Sequence, residues 1–394
     1  MVWRKVEPME ERIYFIKRYL EGGSSITELC NEFGISRTTG QNLLRRFREE
    51  GLKAVEERSR RPLTQPRQLP NDVVCEILAI RNAHPTWGGK KIREILSRKM
   101  ASFELPCSRT IDRILFRAGL SERRKKRSKK TYRIETVIKP KEPNDVWTVD
   151  FKGWWRTKDG SYCLPLTLRD EYSRFLLDFC ALRRGDTEEV KSRFKRCFAQ
   201  YGMPRYIRSD NGTPFASVRS ICGLTVLSAW WIRLGVLPNR IPPGAPYLNG
   251  AHERLHRDIK AELQRTPARD LKTQQAVFEQ WRKEFNEVRP HQALKMQTPS
   301  DWYQRSSRSY KAAQVPFEYQ PNVHTRLVCS RGRISWRGKQ IHISSALRGH
   351  AIGLEVSSDG DTVECWLRDF LLGSTDVDFR HPLGGEWVEH LIPV

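Results

Sequence analysis

The sequence predicts a multidomain α/β protein: all-α helical modules first, then a mixed sheet covered by helices, then a small β-barrel. Apolar residues recur at helical spacing up to about residue 120, and the period changes to that of strands from about residue 144. Behind the polar run Arg305-Ser306-Ser307-Arg308-Ser309, only short strand patterns with glycine turns remain. With 394 residues, 38% hydrophobic content, 12 Trp and 16 Phe, the chain can furnish several cores, which excludes disorder throughout.

The first module carries three helical patterns. Ile13, Ile16 and Leu20 mark the first, which Gly22-Gly23 ends. Ser25 or Thr27 can cap the second, with Ile26, Leu29, Cys30 and Phe33 on its apolar side, and Gly34 supplies the next turn. Ser36 can cap a third helix that buries Leu43, Leu44 and Phe47 and leaves Arg37, Thr38, Thr39, Gln41, Asn42, Arg45 and Arg46 exposed, a set suited to the major groove of DNA. A three-helix bundle with a solvated basic face is the plainer alternative. After Arg58-Ser59-Arg60-Arg61-Pro62, a second helical group follows, with Val73, Ile77 and Ile80, then Ile92, Ile95 and Leu96 behind Thr86-Trp87-Gly88-Gly89, then Ile111, Ile114 and Leu115 behind Ser108. It reads as a second helix-turn-helix-like module.

Three strands, Val146 to Phe151, Tyr162 to Leu168 and Arg174 to Ala181, form a natural meander, and a helix from Thr187 to Tyr201 and a strand from Arg205 to Ser209 follow. A sheet built in that order is mixed and helix-covered. The barrel strands are His324 to Cys329, Arg333 to Trp336, Lys339 to Ile343, Ile352 to Val356, Thr362 to Leu367 and Phe370 to Ser374, with hairpin signals at Arg337-Gly338 and Asp359-Gly360. The divisions are 1–57 (helix-turn-helix domain), 58–69 (basic linker), 70–120 (second helical domain), 121–143 (basic linker), 144–304 (α/β core), 305–321 (linker), 322–380 (barrel) and 381–394 (tail).

Lys+Arg number 70 against 46 Asp+Glu, a net charge of +24, which suits a phosphate-bearing partner. The density of cations from Arg123 to Arg133 points the same way, because such a block repels itself unless it is solvated or meets an anion. The nine cysteines never fall in a CxxC spacing and read as reduced thiols of a cytoplasmic protein. No stretch reaches the roughly 18 apolar residues of a membrane helix, and the N-terminus lacks the apolar centre of a signal peptide. The expected location is the cytoplasm, in association with the nucleoid.

Three carboxylates carry the chemistry. Asp150 closes an apolar strand, Asp210 follows the fourth strand before Asn211-Gly212, and Glu253 opens a helix that Asn249 can cap. If the two strands are neighbours, their carboxylates converge on one cation. On a helical wheel Leu255, Ile259 and Leu263 face the core, while Glu253, Arg257, Lys260 and Gln264 share the opposite side. Hard oxygen ligands in this arrangement suit phosphoryl transfer with two Mg²⁺ ions standing roughly 3.5 to 4 Å apart, and Mn²⁺ can substitute. Arg257 and Lys260 would hold the DNA backbone beside them. Taken singly, each carboxylate has a plain reading: a turn at Asp210-Asn211-Gly212, an exposed pair at Glu253-Arg254, a helix cap at Asp150.

These residues resemble the insertion-sequence DDE transposases with a retroviral-integrase-like core, of the single-reading-frame kind. The likeness rests on Trp147-Thr148-Val149-Asp150-Phe151, on Arg208-Ser209-Asp210-Asn211-Gly212 with Phe215, on Pro242 to Gly244 leading to Asn249-Gly250-Ala251-His252-Glu253-Arg254-Leu255-His256, and on Asn286, Arg289-Pro290-His291-Gln292-Ala293-Leu294 and Thr298-Pro299. It implies a ribonuclease H-like core, with Asp150, Asp210 and Glu253 as catalytic metal ligands and Lys260 as a contact to the element's end. The implied reaction is binding of the terminal inverted repeats, hydrolytic nicking at the ends, and attack of the freed 3′-hydroxyl on target DNA, without a covalent enzyme intermediate. Joining two ends to double-stranded target DNA needs at least a dimer on DNA.

Two departures stand out. There are 59 residues between Asp150 and Asp210 and 42 between Asp210 and Glu253, the latter more than is common in the wider family. The surplus falls in Ser217 to Trp231, where Leu224, Leu227 and Trp231 form a helical stripe. No His-His-Cys-Cys zinc module precedes the core, so end recognition falls to the helical modules. His252, His256 and His291 lack cysteines at ligand spacing and read as DNA contacts or as supports to the metal ligands. Of Trp154 and Trp155, at least one packs into the core, and the other is available to stack on an unpaired base. The rival readings are a helix-turn-helix regulator with an inactive integrase-like domain, which an intact triad disfavours, and a structure-selective or RNA-directed nuclease, which leaves the helical modules without a task.

Overall fold

The computed structural model of the chain describes residues 7–57, 69–100, 104–122, 138–217, 220–241, 249–311, 317–381 and 383. The basic runs at 58–61 and 123–133 and the turn at 242–244 lie outside them. The chain divides into two compact units, Met1–Leu69 and Pro70–Val394.

The smaller unit holds α1 (Pro8–Glu21), α2 (Ile26–Glu32) and α3 (Arg37–Glu50). Ser25 caps α2 in a capping box with Glu28, and the Ser36 hydroxyl accepts from Thr39 N–H at the start of α3. Gly40 lets α3 approach α2: a Cβ there would stand 2.4 Å from Cys30 Sγ. The core is Phe15, Ile16, Leu29, Cys30, Leu43, Leu44 and Val55. The apolar register of α1 differs from the expected stripe, because Ile13 and Leu20 are exposed at 45% and 65% and Phe15 takes the inward position.

In the larger unit α4 (Asn71–Ala83), α5 (Gly89–Lys99) and α6 (Ser108–Arg117) enclose a core of Val73, Ile77, Ile80, Trp87, Ile92, Leu96, Ile111 and Leu115. Ser108 is the first residue of α6 rather than its cap; Cys107 holds the cap position without a side-chain hydrogen bond.

The α/β layer is a mixed sheet. β1 (Val146–Phe151) runs antiparallel to β3 (Tyr162–Asp170) and parallel to β5 (Tyr206–Ser209). β4 (Leu176–Leu182) takes the other side of β3, β6 (Leu237–Arg240) lies parallel beyond β5, and the short β2 (Trp155–Arg156) pairs with the start of β3. This three-strand antiparallel meander joined to two parallel strands is the ribonuclease H-like arrangement. α7 (Thr187–Tyr201) and α8 (Val226–Arg233) cover one face through Phe194, Phe198, Leu227 and Trp231. On the other, α9 (Gly250–Ile259) and α10 (Leu271–Glu287) bury Leu255, Ile259, Phe278, Trp281 and Phe285 against Trp155 and Phe179. Between Asp210 and Glu253 lie α8 and β6; Leu224 precedes α8 and packs into a different cluster from Leu227 and Trp231.

A single guanidinium ties three of these layers together. Arg289, just past α10 and 1% exposed, donates to Asp258 Oδ2 at 2.8 Å and forks onto both oxygens of Glu262. Glu262 also accepts from Trp281 Nε1 at 2.5 Å and from the hydroxyl of Thr86, in the turn between α4 and α5. The guanidinium lies over the rings of Trp281, Phe285 and Trp87. Trp87 stacks on His84, whose Nδ1 stands 2.9 Å from Glu284 Oε1. Asp258 and Glu262 flank the point where α9 passes into a π turn, Lys260–Gln264, so the fork pins the helix where its hydrogen-bond pattern changes.

The expected barrel is not a closed one. β7 (His324–Leu327), β10 (Ala351–Val356), β11 (Thr362–Leu367) and β12 (Phe370–Asp376) make a four-stranded antiparallel sheet in the order β12-β11-β10-β7, and β8 (Arg333–Trp336) and β9 (Lys339–His342) form a separate hairpin. Closure is unnecessary because the apolar face is covered from outside: Leu224, Ala229 and Ile232, before and on α8, join Ile352, Leu354, Val363, Leu367 and Leu372 in one core.

Replacing Arg289 by Ala leaves Asp258 and Glu262 half-buried without their cation and should cost about 3–5 kcal/mol. Urea unfolding followed by tryptophan fluorescence should show a clearly lower midpoint for Arg289→Ala, with Arg289→Lys between it and the parent; an unmoved midpoint would contradict this role.

Candidate active site

The neighbouring of β1 and β5 brings the first two carboxylates to one end of the sheet. Asp150 is the fifth residue of β1, paired across the sheet with Thr167, and Asp210 directly follows β5. Glu253 stands in the first turn of α9, the helix whose Leu255 and Ile259 pack on the opposite face from α7. Asp210 and Glu253 are exposed, whereas the Asp150 side chain is only 20% exposed.

Burial, then the negative charges of Asp210 and Glu253, push the Asp150 carboxyl up to about 7. Among the described residues no three His, Cys, Asp or Glu side chains are gathered closely enough to hold a metal ion. Asp150 thus feels the charge of both other carboxylates, although the three do not close on one point. Their donor chemistry, hard oxygens around a half-desolvated Asp, fits a hard divalent cation that would relieve that repulsion.

Asn249 does not cap α9 with its side chain; its amide turns instead to Asp150 and donates to Oδ2 at 3.0 Å. Beneath Asp150 lies a buried polar network that the sequence reading did not assemble. The Thr167 hydroxyl stands 3.1 Å from the Asp150 carbonyl, 2.6 Å from His252 Nε2 and 3.0 Å from His256 Nε2, and His252 Nδ1 stands 3.0 Å from the Thr148 hydroxyl. Burial depresses both imidazoles, His256 to about 3 and His252 well below its usual range, so both are neutral supports. Thr148 and His252 already stood inside the two acidic motifs, so the signal was present, but only the pairing of β1 with β3 and α9 shows that they meet. His291 lies apart, edge-on to Phe285.

Glu253, Arg254 and Arg257 on α9 and Lys260 at the start of the π turn are exposed. Gln264 leaves that face and is half-buried, because the π turn shifts the phase of the helix after Ile259. Lys152, two residues beyond Asp150, is held below the usual lysine range by burial and by Lys260. Trp155 packs edge-on against Phe278, whereas Trp154 is 55% exposed and stacks on Tyr162. In the smaller unit Arg37, Thr38, Gln41, Asn42 and Arg45 are exposed along α3; Arg46 is half-buried and donates to the carbonyl of Glu56 at 3.2 Å.

Two family models described as Integrase core domain match residues 140–246 and 234–299, and models described as Helix-turn-helix domain and Homeodomain-like domain match 11–62 and 39–115. The chain is an enzyme of the transposase/integrase class, with an integrase core behind DNA-binding helix-turn-helix domains. Within that class its similarity is to insertion-element proteins. It is 28% identical over 215 residues to the insertion element IS407 uncharacterized 31.7 kDa protein of Burkholderia multivorans, covering 54% of this chain and 74% of that one. It is 24% identical over 248 residues to the insertion element IS476 uncharacterized 39.2 kDa protein of Xanthomonas euvesicatoria, covering 62% and 68%. Among solved structures, the HTLV-2 integrase catalytic core domain in complex with magnesium is 15% identical, covers 42% of this chain and all of its own, and superposes with a TM-score of 0.31. No helix among the described residues is long and apolar enough to cross a membrane.

The raised Asp150 carboxyl sets a pH dependence with a definite sign. Its folded pKa of about 7 lies above the unfolded value, so it destabilises the metal-free protein progressively as pH rises from about 4 to about 7. In chelator, Asp150→Asn should melt several degrees above the parent at pH 7.5, with the gap closing towards pH 4. A gap that is constant with pH would contradict the assigned environment.

Proposed function

We propose that the chain binds the terminal inverted repeats of an insertion sequence, cleaves at the element's ends and joins the 3′-hydroxyls to target DNA by two-metal phosphoryl transfer. The observation that supports this reading is the charge of Asp210, set beside Asp150 by the pairing of β1 with β5, and of Glu253 on α9, acting on the largely buried Asp150 carboxyl. Residues 1–57 and 70–120 serve end recognition, 144–304 catalysis and 322–380 support on DNA, with the remaining segments as linkers and tail. Two copies or more act together on DNA, since two ends meet one target in the cytoplasm.

Asp150, Asp210 and Glu253 would hold Mg²⁺, or Mn²⁺ in its place. When bound, such ions activate a water or hydroxyl and offset charge on the leaving oxygen. The chain's own residues prepare the rest. Asn249 holds Asp150 Oδ2 by its amide, and Thr167, with the two neutral histidines behind it, fixes the strand below. Arg257 and Lys260, exposed on the Glu253 helix, neutralise the backbone phosphates of the strand being cut. Lys152 adds a third cation beside Lys260.

Asp150→Asn, Asp210→Asn and Glu253→Gln should each reduce Mg²⁺-dependent nicking of a labelled duplex taken from the DNA flanking the gene by at least a thousand-fold, with end affinity within about three-fold of the parent. Near-parental cleavage by any of them would remove that residue from the site. Replacing Arg37 and Arg45 by Ala should weaken end binding and make the slope of log affinity against log salt shallower by about 1–2. Unaltered binding would transfer recognition to α4–α6.

A further inference from the structure

We propose that Trp154 and Tyr162 form a stacking platform that receives an unpaired base of the DNA end beside the carboxylates. The inference rests on the proposed DNA-end chemistry and adds a binding site for a nucleobase to it. Consecutive tryptophans have opposite fates here. Trp155, paired with Cys163 across the sheet, is buried and lies edge-on to Phe278, which fixes the backbone. Trp154 is left 55% exposed, its ring 5.2 Å from that of Tyr162 at an interplanar angle of 27°, and Tyr162 is itself 37% exposed. The chain reaches this position through Gly153, whose φ of +88° lies in the left-handed region open to glycine. Tyr162 opens β3 and Trp154 directly precedes β2, so two hydrogen-bonded strands hold the backbone beside the exposed pair.

Its surroundings select the ligand. Trp154 stands four residues beyond Asp150, within roughly 14 Å of it by the reach of the chain. Lys152 lies between them and senses both Asp150 and Lys260. Arg156, two residues further on, is exposed and anchored by a 2.7 Å bond to the carbonyl of Gly160. A π face bordered by cations, next to carboxylates that act on phosphodiesters, matches a nucleotide with its base splayed and its phosphate on the basic rim. A base within the duplex stack cannot offer its face to such a platform, so the site takes a nucleotide unpaired at or beside the cut.

The test uses the full-length protein and two duplexes from the DNA flanking the gene, one blunt and one with a short 5′ overhang carrying 2-aminopurine. The parent should bind the overhang form more tightly and quench its fluorescence. Trp154→Ala should lose the quench and roughly five- to a hundred-fold of the overhang preference, with blunt-end affinity and melting temperature unchanged. Trp154→Phe should keep both. An undiminished quench and preference in Trp154→Ala would overturn the platform while leaving the end-binding reading intact. A change in oligomeric state with the preference retained would identify the ring pair as a protein interface and overturn it equally. A parent that binds neither duplex would overturn both readings together.

Discussion

The fork of Arg289 onto Asp258 and Glu262 is the contact on which the arrangement of the larger unit turns. A guanidinium at 1% exposure is costly unless its charge is met, and here two carboxylates and three aromatic faces meet it. Both carboxylates belong to the helix that begins with Gly250 and carries Glu253, so the fork limits how that helix can rotate or slide. Because Thr86 also donates to Glu262 and Trp87 lies over Arg289, the helical group α4–α6 is packed against the same point. The second helical module and the Glu253 helix therefore share one polar anchor, and a displacement of either is felt by the other.

The sheet imposes the second constraint. Parallel pairing of β1 with β5 sets Asp150 and Asp210, which directly follows β5, at one end of the sheet, and α8, β6 and the return to α9 intervene before Glu253. Burial first, and then the charges of Asp210 and Glu253, disfavour an ionised Asp150. Buried Thr148, Thr167 and His252 hold the strand end against that repulsion without adding charge. The site is strained electrostatically and rigid mechanically, which suits a centre that works only when loaded with metal.

Much of this was legible in the sequence because the signals were local. The strand Val146–Phe151, the helix Thr187–Tyr201 and the stripe Leu255, Ile259, Leu263 are set by short-range periodicity, and the structure places them where the pattern does. Two losses are local, the register of α1 and the cap of α6, and the rest come from tertiary or irregular geometry. The π turn after Ile259 moves Gln264 off the exposed face, which no uniform helical wheel anticipates. Asn249 has a capping residue's identity and position, yet a tertiary partner, Asp150, outcompetes the helix end for its amide. The terminal strands were read at nearly their true bounds, but barrel closure depends on what covers their apolar face, and that cover comes from around α8, some 120 residues earlier along the chain.

The central claim is that carboxylates from β1, the end of β5 and α9 form one metal site. Mn²⁺ binding to the DNA-free protein, followed by electron paramagnetic resonance, tests it without relying on any DNA substrate. The account predicts saturable binding by the parent and at least ten-fold weaker binding by Asp150→Asn, by Asp210→Asn and by Glu253→Gln alike. Binding that survives unchanged in any one of the three would show that this side chain is not a ligand and that the site is built differently.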